Sequence, residues 1–141
     1  MGVVVVAVNE QGEGYFEPDP APDANAMPGG AGLRFLFETP TIPIAAVRHS
    51  GRDEFPGLAS DTGVRFVESE MPPGQRSPMH STPSVDLGAV TQGTVKLILD
   101  SGATKTLQAG DTYILKAANH AWENVGSGPV KIVTVFLAAK R

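Results

Sequence analysis

The chain has 141 residues, 41% of them hydrophobic and 18% charged, with 16 glycines, 12 prolines and no cysteine. That length suits one domain with a single core, and the missing cysteine excludes disulfides, thiolate metal sites and cysteine nucleophiles. A formal net charge of −4 leaves no basic stripe to neutralise phosphates, so nucleic acid is not an expected partner.

In chain order, "VVVVAV" at 3–8 predicts a first strand. The run is too short to span a membrane, and no basic residue precedes it. Val6 stands where a myristoylation signal needs Ser or Thr, so a soluble cytoplasmic protein is the expectation. Residues 17–31, "EPDPAPDANAMPGGA", read as loop, "LRFLFET" at 33–39 as strand, and "HSGRDEFPGLASDTG" at 49–63 as a second long loop. Residues 1–62 are thus expected to supply N-terminal strands and long loops that pack on the rest of the domain or on a partner subunit. From residue 63 to 141 the pattern is strand after strand: "GVRFVESEM", "VDLGAVTQ", "TVKLILD", "TKTLQ", "GDTYILKA", "HAWENV" and "VKIVTVFLA". Gly93 predicts a tight turn, "DSGA" a hairpin, and no ten-residue window carries helical periodicity. The fold class is all-β, an antiparallel sandwich or barrel within one domain.

Two segments stand out against this background. One runs Gly74, His80, Thr82, Asp86, Gly93; the other runs Gly110, Asp111, His120, Asn124. Residues two apart on a strand share a face, so His80, Thr82 and Asp86 can point inward together, and His120 on a later strand can meet them at the barrel mouth. Asp86 lies in an otherwise apolar strand, where a buried carboxylate needs a partner. Trp122, Tyr113, Gln92 and Thr82 are candidate substrate contacts. Asn124 and Asp111 read as structural turn or strand-edge residues, and His49 as a loop residue able to cap the pocket only if its loop folds over the mouth.

These segments resemble the two motifs of the cupin superfamily, most closely in "SPMHSTPSVD" and "GDTYILKAANHAWENVG". The similarity covers about residues 63–137 and looks like that of small single-domain bacterial cupins. It implies a double-stranded β-helix (jelly-roll) barrel and a homodimer. It also implies a site where three histidines and a glutamate hold a metal. Here Thr82 replaces the second histidine, Asp86 replaces the glutamate, and the second motif lacks its usual proline. His80, Asp86 and His120 remain as candidate ligands for zinc, manganese, iron or nickel, or for no metal at all.

The leading expectation is a small-molecule enzyme of the lyase, dehydratase, cyclase or isomerase kind, in secondary metabolism. His120 would act as general base or acid, with His80 and Asp86 orienting the substrate or holding the metal. The alternatives are a binding protein without catalysis, a metal-dependent dioxygenase, and a purely structural dimer module.

Overall fold

The computed structural model describes residues 6–16, 25–26, 30–40, 42 and 62–139. Two short strands, β1 (Val6–Val8) and β2 (Gly14–Phe16), form an antiparallel hairpin. Its turn is held by Asn9, whose Oδ1 accepts the N–H groups of Gln11 and Glu13 at 3.0 and 2.9 Å. Next come β3 (Asn25–Ala26) and β4 (Gly32–Thr39), so a two-residue strand lies within the stretch expected to be all loop.

The strands after residue 62 are those expected. They are β5 (Val64–Met71), β6 (Ser84–Gln92), β7 (Thr94–Leu99), β8 (Thr104–Gln108), β9 (Thr112–Lys116), β10 (His120–Asn124) and β11 (Val130–Ala138). A six-stranded sheet runs β3-β4-β5-β11-β6-β9 and a three-stranded sheet runs β10-β7-β8. Every pairing is antiparallel, and β11 lies between β5 and β6, giving the jelly-roll exchange of neighbours. No helix among the described residues is long and apolar enough to cross a membrane. β4 pairs along most of β5, so this part of the N-terminal region is continuous with the barrel wall.

Alternation explains the packing: successive side chains of a strand leave on opposite faces, and the inward ones meet across the sandwich. Met71, Val90, Val95, Leu107, Val130 and Ile132 form a buried cluster, with Leu97, Tyr113 and Trp122 packed against it. Gly93 does not close a hairpin. It turns the chain from β6 in the large sheet to β7 in the small one, at φ 82°, and a Cβ there would lie 2.5 Å from the Pro129 carbonyl oxygen. Two cross-strand rows of the large sheet prepare the site. Their registers are Val67–Thr134–Gly88–Tyr113 and Arg65–Phe136–Asp86–Leu115.

Candidate functional site

A cavity of about 420 Å³ lies between the sheets, walled by Leu33, Val67, Ile132 and Phe136 among others. His80, Thr82, Asp86, Tyr113, His120 and Trp122 all line it. Gln92 does not. The consecutive residues Lys131 and Ile132 face Gln92 and Val90, leaving Thr91 as an extra residue in β6 and breaking the alternation that would have carried Gln92 inward after Asp86, Gly88 and Val90. His49 lies outside the described residues.

Two elements far apart in sequence bring the imidazoles together. His80, in the segment between β5 and β6, makes an isolated antiparallel bridge to His120, with both reciprocal N–H···O bonds at 2.9 Å. Their ring centroids are 4.4 Å apart. Each ring also bonds the carbonyl two residues before it: His80 Nδ1 donates to Pro78 O at 2.7 Å and His120 Nδ1 to Ala118 O at 2.8 Å. A carbonyl only accepts, so each Nδ1 carries a proton, and in the neutral ring each Nε2 is left as an acceptor. The link entering β10 is tight, with Ala117 at φ 52°, the one non-glycine residue in the left-handed region among those described.

Ser84, Asp86 and Thr134 near the pair are buried, as is His120 itself, and Thr82 and Tyr113 are partly buried. Burial pushes the His120 imidazole below its ordinary value of 6.5; the Ala118 carbonyl opposes this and the nearby His80 charge adds to it. Burial likewise raises the Asp86 carboxyl, against the opposing effects of the Ser84 hydroxyl and His80. Asp86 ends a hydroxyl chain: Ser84 Oγ donates to Asp86 Oδ1 at 2.5 Å, and Thr82 Oγ1 lies 2.6 Å from Ser84 Oγ. Tyr113 is pushed up to about 12, chiefly by burial, with Thr134 opposing and Asp86 reinforcing.

Three members of this surround escape a reading of the sequence. Ser84 shares a strand face with Asp86, a signal available from spacing two. Gly88 interrupts an apolar strand, which signals a close approach by another group. Thr134 carries no signal of its own. Asn124 is structural, as expected: its amide donates to Met71 O and Gly128 O and accepts from Gly126 N–H. Asp111 holds its turn by accepting the Gln108 N–H at 2.8 Å.

The donor set does not fit the metal that the resemblance implies. Thr82, at the place of the second histidine, lies against Ser84, and Asp86 Oδ1 is already engaged by Ser84. Among the described residues no three His, Cys, Asp or Glu side chains are placed to hold one ion.

Trp122, the single tryptophan, stands edge-on to His120 with centroids 6.0 Å apart, and an imidazolium quenches indole emission more strongly than imidazole does. Acidification should therefore dim the emission with a midpoint below 6.5, and His120→Asn should abolish that step. The unfolded chain takes up this proton at a higher pH than the folded one, so His120 contributes a loss of stability as pH falls below 6.5. A midpoint at or above the ordinary value would contradict the burial of His120.

The comparisons with known proteins agree with this fold. The Cupin domain family matches residues 67–136. Phomopsin biosynthesis cluster protein C' of Diaporthe leptostromiformis is 31% identical over 114 residues, which are 76% of this chain and 60% of that protein. Cupin-domain-containing oxidoreductase virC of Hypocrea virens is 29% identical over 142 residues, 94% of this chain and 73% of that protein. These two relatives are fungal, where the motif resemblance pointed to bacterial cupins. An RmlC-like cupin structure from Shewanella frigidimarina superposes with a TM-score of 0.57 at 16% identity, covering 84% of this chain and 86% of that one, a likeness of fold. Sequence and fold lead to the same conclusion: the chain belongs to the cupin superfamily.

Proposed function

We propose that the chain is an enzyme that moves a proton on a neutral organic molecule held in the cavity, in a dehydration, cyclisation or isomerisation. The observation that carries this reading is the pair of imidazoles whose Nδ1 atoms are tied to backbone carbonyls while their Nε2 atoms have no bonded partner among the described residues. No Lys or Arg is found among the described residues lining the cavity, which favours an uncharged substrate. With its pKa lowered, His120 is neutral at physiological pH and ready to act as base.

In a dehydration, His120 Nε2 takes a proton from carbon and the C–H electron pair becomes a carbon–carbon double bond. The hydroxyl on the neighbouring carbon leaves as water after receiving that proton from the imidazolium. In an isomerisation the proton returns to a different carbon. His80 and Asp86 orient the substrate. Membership of one relative in a biosynthesis cluster supports a small-molecule substrate. A second reading, net oxidation of such a molecule, is supported by the oxidoreductase name of another relative.

The test is to incubate untagged protein with a library of neutral hydroxy-ketones, with and without added zinc, manganese, iron or nickel. Products are read by mass spectrometry, dioxygen by electrode, and protein-bound metal by elemental analysis. Isomers or products lighter by one water, formed without dioxygen uptake, are the expected result. Products that have lost two hydrogens or gained oxygen would support the oxidative reading instead. Ligands recovered unchanged would make the chain a binding protein.

A further inference from the structure

The large sheet, which supplies part of the cavity wall, brings three residues into one row. Gly88 of β6 is the cross-strand neighbour of Tyr113 on β9 and of Thr134 on β11. The Tyr113 side chain lies over Gly88, where even a methyl group would overlap its ring. Its hydroxyl thereby reaches past β6 to Thr134 Oγ1, 2.5 Å away. The ring is also packed against Trp122, with centroids 5.0 Å apart, so the hydroxyl is fixed in place.

Counting hydrogens gives this pair a chemical character. Two hydroxyls carry two hydrogens, and one lies between the oxygens. Whichever residue donates it, the other keeps an O–H with no acceptor among the described residues. Thr134 is buried, both side chains line the cavity, and an O–H donor left without an acceptor in apolar surroundings is costly. Tyr113, pushed up to about 12, keeps its proton throughout the physiological range.

We infer that Tyr113 and Thr134 form a hydroxyl pair that binds a carbonyl oxygen of the substrate, and that Gly88 is the residue that makes room for it. The inference rests on the proposed reading of the cavity as a site for a neutral organic molecule, and it narrows the substrate to a ketone, aldehyde, ester or lactone. The two Nε2 atoms form an acceptor pole and the hydroxyl pair a donor pole. When His120 Nε2 takes a proton from the carbon beside the carbonyl, the C–H electrons form the carbon–carbon double bond. The carbonyl electrons move onto oxygen, where the free O–H meets the new negative charge. Return of the proton reverses each of these changes, and no further reagent is needed.

The test compares two probes of equal shape, 1-tetralone and its carbonyl-free analogue tetralin. Binding is followed by Trp122 emission and the carbonyl stretch by infrared. Wild-type protein is expected to bind 1-tetralone about tenfold more tightly than tetralin. Its carbonyl stretch should lie below the value in dry hydrocarbon solvent. In Tyr113→Phe/Thr134→Val the affinity ratio should fall to near one and the stretch return to the hydrocarbon value. Should that variant fail to fold, the wild-type ratio and frequency still decide. Equal wild-type affinities with an unshifted carbonyl would overturn the inference and leave the apolar site standing, as would a preference that survives in the variant. Failure of both probes to bind would overturn the site reading and the inference with it.

Discussion

His120→Ala is expected to lower turnover by about 10²–10⁴-fold while leaving the barrel folded. The loss should be large because the substitution removes the buried base and leaves only His80, an imidazole that is less buried. The fold should survive because the main-chain bonds, the Trp122 N–H to Ser77 Oγ bond and the Arg76–Glu123 ion pair that join the two motif segments do not use the His120 ring. The reciprocal His80–His120 N–H···O pair does not involve either ring, and among the described residues the His120 ring bonds only the carbonyl of Ala118. Turnover should be measured with the substrate found in the library screen, beside the urea midpoint and circular dichroism of the variant. Added imidazole should restore part of the rate, since the truncation leaves a ring-sized space beside Trp122. His80→Ala should cost less and show no comparable rescue. Wild-type turnover in His120→Ala would move the base elsewhere and remove the basis of the proposed chemistry.

The parts of this site that are legible in the sequence are those written in local rules. The glycine, histidine and asparagine spacings of the two motifs mark turns and strand alternation, which act over a few residues, and His80 and His120 are found together as that pattern implies. What is not legible depends on register between strands. Gly88, Tyr113 and Thr134 form a unit only because β6 runs between β9 and β11, an adjacency that no local signal encodes. Gln92 shows the opposite error. Simple alternation along β6 turns it inward, and the extra residue Thr91 within β6 takes it out. The facing of β5 is ambiguous for a different reason. Phe66 on its outer side is in register with Val135, Leu87 and Ile114, so both sides of the sheet look apolar and alternation alone does not say which is inside.

Arg65→Met is expected to destabilise the fold by about 3–5 kcal/mol, the largest single effect on stability anticipated in this chain. Arg65 belongs to the inward row of β5, a position where an isolated charge would be expelled. Its contacts include Glu38, whose Oε2 lies 2.8 Å from its Nε, and Phe35, whose ring centre lies 5.0 Å from its guanidinium carbon. The Arg65 side chain is 4% exposed and that of Glu38 12%, so little water is available to replace the missing partner. Methionine would fill much of the volume and leave the Glu38 carboxylate in a medium that solvates it poorly. Against a whole-domain margin of about 5–15 kcal/mol, such a loss should be plain in a urea titration. The double variant Arg65→Met/Glu38→Leu should recover most of it, because a buried ion pair gains little over apolar side chains of similar size once both charges are gone. Recovery would mean that the pair matters less for net stability than for alignment. Glu38 and Arg65 are cross-strand neighbours just beyond the bulge at Phe35 and Phe37, where the alternation of β4 is already broken and apolar residues on both faces would tolerate a slip by one residue. A buried charge tolerates no such slip. If Arg65→Met instead costs less than about 1 kcal/mol, Glu38 must be reached by water as a surface group would be, and the alignment of β4 must rest on its packing alone.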